Sequence, residues 1–183
     1  MRTGTPLWQA RHQLIGDHMP SELRSWLFEP GSLTRRLRGL CPDHFSLTLL
    51  GSERARPLHD ERRTLGLATG RSALIRQVYL RCRERYLVFA RSVIPAASLR
   101  GANRRLAWLG ERPLAGVLFG PVAAGRGVLE VACLTVGHPL YTLATRQADS
   151  HPPVLWARRS LFYPGRKPVL VTEVFFPELA DLV

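Results

Sequence analysis

The chain has 183 residues and a mass of 20.6 kDa, the size of one domain spanning residues 1–183. Apolar residues make up 45% and charged residues 22%, which excludes wholesale disorder and supplies a substantial core. The formal net charge is +12, but every basic residue except Lys167 is arginine, spread in short clusters such as Arg35, Arg36 and Arg38 or Arg158 and Arg159. No block or tail of basic residues forms, so an anionic small ligand is expected rather than nucleic acid.

No stretch reaches the roughly 18 uncharged apolar residues of a membrane span. The N-terminal MRTGTPLWQARHQ carries no apolar h-region, so no secretory signal is expected. Cys41, Cys82 and Cys133 are odd in number and lack CxxC spacing. They are expected to be small buried hydrophobes in a reducing, cytoplasmic protein rather than a disulfide framework or a zinc site.

In chain order, Ser21 is placed to cap a short helix with Leu23, Trp26 and Leu27 on one face, ended at Pro30-Gly31. Ser32 caps the next, with Leu33, Leu37 and Leu40 at i, i+4 and i+7. Phe45 to Leu50 reads as a strand and is followed by a polar stretch containing Pro57. Ala73 to Cys82 and Tyr86 to Ile94 read as a hairpin around Arg83 to Arg85. Ser98 to Leu109 reads as helical, and Pro113 opens a further turn or two through Leu118. Gly120 to Gly127 reads as a loop, Val128 to Val136 as a strand, and Gly137 to Pro153 as polar and irregular. A second hairpin joins Val154 to Tyr163 with Pro168 to Phe176 through Pro164-Gly165-Arg166-Lys167. Strands joined by short turns predict an α+β protein with a single antiparallel sheet and flanking helices.

Strand alternation exposes two anomalies. Leu74, Arg76, Val78, Leu80 and Cys82 share one face, so Arg76 stands in an apolar row. The opposite face, with Ile75, Gln77, Tyr79 and Arg81, is expected to be the wetter one. A guanidinium keeps its proton, so a buried one requires an anion from the protein or from a ligand. Glu173 lies in Val169 to Phe176, where both faces are apolar; a buried carboxylate without a full partner can exchange a proton near neutral pH. Arg91 is a milder case among Leu87, Phe89 and Val93. With a four-residue turn at 164–167, Glu173 falls opposite Arg158, so a structural ion pair is the competing assignment. The helix starts at Leu33 and Leu114 add backbone N–H groups without intrahelical acceptors.

No GxSxG, HExxH, GxxxxGK[ST] or GxGxxG motif is present. His12, His18, His44, His59, His138 and His151 lack metal-ligand spacing and read as surface residues. The four tryptophans, at 8, 26, 108 and 156, read as packing residues.

At these same positions the sequence resembles the chorismate pyruvate-lyase family. The resemblance runs from about Trp26 to Pro177 and rests on the order of several blocks: Trp26-Leu27, GSLTRR from Gly31, Leu74-Ile75-Arg76, ARSVIP from Ala90, LGERPLA from Leu109, WARRS from Trp156 and KPVLVTEVFFP from Lys167. It implies an antiparallel sheet with helical flaps over an enclosed ligand. It assigns the ring carboxylate to Arg76, the neighbourhood of the ring hydroxyl to Glu173, and main-chain donors to Leu33 and Leu114. Arg76 and Glu173 are then the catalytic candidates, the substrate is chorismate and the products are 4-hydroxybenzoate and pyruvate, made for ubiquinone synthesis. Aromatisation of the ring drives that reaction, so no metal or other cofactor is expected. A second cation is expected for the side-chain carboxylate, with Arg91 and Arg158 as candidates on pattern. Residues 120–155 are longer than in some relatives and match poorly. A soluble monomer without nucleic-acid or membrane partners is expected.

The competing class is an effector-binding module of a transcription regulator with the same fold. Such a regulator needs a DNA-binding domain upstream, and about forty residues before the first strand are too few for one. A basic nucleic-acid binder would instead show affinity that falls steeply with salt.

Overall fold

The computed structural model describes residues 8–13, 19–119, 125–148 and 150–182. Seven strands form one antiparallel sheet: β1 (Gln9–Ala10), β2 (Phe45–Ala55), β3 (Ala73–Cys82), β4 (Arg85–Pro95), β5 (Gly125–Thr135), β6 (Val154–Tyr163) and β7 (Val169–Phe175), in spatial order β1-β5-β6-β7-β4-β3-β2. Among the described residues five short α-helices accompany it: α1 (Ser21–Leu27), α2 (Leu33–Leu40), α3 (His59–Thr64), α4 (Ala115–Leu118) and α5 (Pro139–Thr145). Gly101–Trp108 and Pro177–Leu182 are 3₁₀ segments.

Helices this short do not persist alone and depend on tertiary packing. Leu23, Trp26 and Leu27 of α1 are buried, each contributing about 1.5–3 kcal/mol. Ser21 is the first residue of α1 rather than its cap, which is Pro20. Ser32 does cap α2, its Oγ accepting from Arg35 N at 3.2 Å. Leu33 and Leu37 are buried, whereas Leu40 at the helix end is half exposed.

Two stretches that sequence patterning leaves irregular are helical. α3 lies within the polar stretch after β2, and α5 within 137–153. Both cover the face carrying Ile75, Gln77 and Tyr79, so the face expected to be wet is covered. Tyr79 is fully buried there and its hydroxyl donates to Ala144 O at 2.6 Å. His138 is likewise buried rather than on the surface; its Nδ1 accepts from Leu140 N at the start of α5. Burial pushes the His138 pKa down, against the fields of Asp60 and Glu61.

The β6–β7 connection is a 3₁₀ turn, Pro164–Arg166, with φ of 56° at Gly165 and 62° at Arg166. Asn103 Nδ2 donates to Pro164 O at 2.8 Å and holds this turn against the 101–108 segment. β2 pairs with β3 through a register shift between Leu49 and Gly51.

The cysteines depart from expectation. Cys41, at the end of α2, and Cys82, at the end of β3, form a disulfide, and Cys133 is free. Thiol titration of the denatured, unreduced protein is expected to find one thiol per chain; three would show that the link does not form in solution.

Candidate active site

On one face of the sheet two apolar clusters are separated by a polar band. Val78, Leu80, Val88 and Phe175 pack with α1 and α2, while Leu74, Ile94, Val169, Val171 and Phe162 pack with the 101–118 region. Strand register builds the band between them. Arg76 pairs with Ser92, Ser92 with Val171, and Val171 with Ser160; in the next row Val78, Ala90, Glu173 and Arg158 align across β3, β4, β7 and β6. The helical layer roofs this band, leaving a cavity of about 560 Å³ counted out to its mouth. Leu33, Thr34, Leu114, Ala115 and Phe119 line it from the helical side.

Arg76 enters from the sheet and is 3% exposed. Its Nη2 donates to Gly110 O and Arg112 O, both at 3.0 Å, while its buried Nε has no hydrogen-bond partner. Among the described residues no carboxylate pairs with it. Burial alone pulls its pKa below the ordinary arginine range, and a guanidinium so placed is stabilised by an anion in the cavity.

Glu173 is an ion-pair partner as well as a cavity residue. Arg158 Nε donates to Glu173 Oε2 at 2.5 Å, and Arg158 Nη1 donates to Trp26 O and Glu29 O at 3.0 and 2.9 Å. The pairing expected from a four-residue turn is therefore present, and Glu173 still lines the cavity. Glu173 thus pairs with Arg158 and also lines the cavity.

Arg91 is corrected. It points to the opposite face, where its Nε and Nη2 donate to Glu61 of α3 at 2.6 and 3.1 Å. Glu61 is itself buried, so this pair is closed to a ligand of the cavity. One residue beyond Arg158, Arg159 also faces away and pairs with Glu130 and Asp60. The period-2 pleat separates these neighbours onto two faces.

The corner between α1 and α2 fixes where Leu33 stands. Arg36 donates to Ser25 O and Ser25 Oγ at 2.7 and 2.8 Å and pairs with Glu29, whose Oε1 accepts from Gly31 N. Leu33 is the first residue of α2, so its N–H lacks an intrahelical acceptor. Leu114 immediately precedes α4.

Arg126 is the cavity residue that pattern reading passes over. It falls in a glycine-flanked stretch read as loop, but lies at the start of β5 and lines the cavity. Its Nε donates to Ser160 Oγ at 3.1 Å and its Nη1 to Pro30 O and Glu29 O at 2.8 and 3.3 Å. The part of the expected loop at 120–124 lies outside the described residues. No group of three or more His, Cys, Asp or Glu converges with metal-binding geometry among the described residues, and no described helix is long and apolar enough to cross a membrane.

Comparison with solved structures places the fold beside effector domains of transcription regulators. The effector domain of PhnF from Mycobacterium smegmatis aligns with a TM-score of 0.55 at 12% identity, over 81% of this chain and 90% of that one. The trehalose repressor effector-binding domain of Bacillus subtilis aligns at 0.51 and 6% identity, over 71% and 89%. At such identities the likeness is one of fold. Sequence comparison is more specific. A protein of Methylococcus capsulatus named "Probable chorismate pyruvate-lyase" is 44% identical over 87% of this chain and 98% of its own length. Proteins of the same name from Nitrosomonas eutropha and Coxiella burnetii are 42% and 37% identical over 89% and 94% of this chain and 91% and 92% of their own lengths. The chorismate lyase family model matches residues 4–182. The chain belongs to the chorismate lyase family.

Proposed function

We propose that the protein converts chorismate to 4-hydroxybenzoate and pyruvate, the step that supplies the ring of ubiquinone. The observation that carries this reading is the buried Arg76 guanidinium, without a carboxylate partner among the described residues, facing a cavity that Glu173 also lines. A ring carboxylate completes Arg76, with the Leu33 and Leu114 amides as further donors. The ring then extends along the polar band toward Glu173, which accepts a hydrogen bond from the 4-hydroxyl.

The reaction breaks the C3–O bond and removes hydrogen from C4, and the ring becomes aromatic. The departing enolpyruvate gains a proton at its methylene carbon and becomes pyruvate, so atoms and charge balance without an oxidant. The protein must hold the dianion in one pose, exclude water and manage a proton at C4. Glu173 stands at that end, either receiving the C4 hydrogen and returning it or orienting the ring for direct transfer to the methylene. Arg158 positions Glu173 through its 2.5 Å bond. One domain acting as a monomer in the cytoplasm completes the reading; a dimer in light scattering would overturn the monomer.

Mixing the protein with chorismate and following pyruvate release is the direct test. Turnover is expected to survive exhaustive chelation because aromatisation supplies the driving force. Activity lost to a chelator and restored by a divalent ion would sink the cofactor-free reading. A binding module of the same fold predicts saturable binding and no pyruvate.

A further inference from the structure

The charged side chains lining the cavity are Arg76, Arg126, Arg158 and Glu173. Glu173 neutralises Arg158 directly. Two guanidiniums, Arg76 and Arg126, are left without a carboxylate partner among the described residues. Arg76 is buried and Arg126 half-buried in that state, which is unfavourable unless the cavity receives negative charge. Two uncompensated cations match a ligand with two carboxylates better than one with a single carboxylate.

Their placement is as informative as their number. Arg76 stands on β3, and Arg126 reaches Ser160 on β6, at the other end of the row Arg76, Ser92, Val171, Ser160. The strands β3 and β6 are three steps apart, about 14 Å at ordinary strand spacing. Glu173 on β7 lies between them, in the adjoining row. Burial and the nearby Arg158 charge pull the Arg126 pKa down, and Glu173 and Glu29 oppose this, so Arg126 lies within the field of the Glu173–Arg158 pair. In chorismate the enolpyruvyl ether is on C3, beside the carbon that bears the 4-hydroxyl. With the ring carboxylate at Arg76 and the hydroxyl at Glu173, the second carboxylate falls on the Arg126 side.

We infer that Arg126 binds the enolpyruvyl carboxylate of the substrate. This rests on the lyase reading and adds a specificity element to it: Arg126 touches the part of chorismate that departs and is missing from 4-hydroxybenzoate. Arg158, a candidate for this role from sequence, is committed to Glu173 and to two main-chain carbonyls, and Arg91 is on the other face. Arg126 Nη1 is held by Glu29 O and Pro30 O at the α1–α2 corner, so the guanidinium is held in place before substrate arrives.

The test uses the difference between substrate and product. Arg126→Gln is expected to lower kcat/KM for chorismate by about 30-fold or more, the usual scale for truncating one side of a buried charged pair. The dissociation constant for 4-hydroxybenzoate should change less than about threefold. Arg126→Lys keeps the charge without the fork, so an intermediate loss with product affinity intact is expected. It also serves if the glutamine variant does not fold. Equal loss of chorismate turnover and product affinity in a folded variant would overturn the inference, as would an unchanged kcat/KM. Wild-type protein that neither turns over chorismate nor binds 4-hydroxybenzoate would instead overturn the lyase reading, and this inference with it.

Discussion

Arg76→Ala is expected to weaken binding of chorismate and of 4-hydroxybenzoate alike, by roughly 30- to several-thousand-fold. The scale is the 2–5 kcal/mol typical of losing one member of a buried charged contact. Both compounds carry the ring carboxylate, so both should suffer, unlike the selective loss expected at Arg126. Stability should respond differently. In the unliganded protein Arg76 is a buried cation held by two main-chain carbonyls with its Nε unpaired. Removing it sacrifices two hydrogen bonds but relieves the cost of burying the charge, so the melting temperature should change little or rise. Calorimetric titration and thermal unfolding on one preparation check both halves. Intact product affinity in a folded variant would make Arg76 a structural residue only.

Glu173→Gln is expected to slow turnover by about 10²–10⁴-fold, the usual contribution of a positioned acid–base group. Product affinity should change far less, because the ring carboxylate is held elsewhere. The substitution also strands Arg158, and breaking a buried pair typically costs about 3–5 kcal/mol. That loss is cushioned here by the bonds from Arg158 to Trp26 O and Glu29 O and by the amide oxygen that glutamine retains. A lower melting temperature is thus expected alongside slow single turnover of the folded fraction. Normal turnover per folded molecule would leave Glu173 as the partner of Arg158 and nothing more.

What sequence reading reached, it reached through strand alternation. Arg76 and Glu173 stand out because a charge interrupts an apolar row, and both line the cavity. Both hairpins follow from short turns between β-branched and aromatic runs. The misses have a common physical origin. Alternation says which residues share a face, but not what covers that face. The row with Gln77 and Tyr79 looks wet until α3 and α5 are laid over it, and those helices escape pattern reading because they are one or two turns long. Arg91 looked like Arg76 for the same reason; its difference is Glu61, thirty residues away in α3. Arg126 has no apolar row to interrupt, since it stands between glycines at a strand start.

The β6–β7 turn has a bearing on fidelity of assembly. In β6 both faces carry apolar side chains and an arginine, so its alternation protects register weakly. A one-residue slip would exchange Arg158 with Arg159 at no change in overall charge. With Arg159 opposite Glu173, Arg158 would lose Trp26 O and Glu29 O, and Glu130 and Asp60 would lose Arg159. What excludes this state is the left-handed pair Gly165 and Arg166, clamped by Asn103 onto Pro164. The clamp sits six residues beyond Arg158, roughly 20 Å at 3.3 Å per residue. Lesions there, such as Gly165→Val, would therefore act as errors of chain alignment, in which the two arginines of β6 change faces.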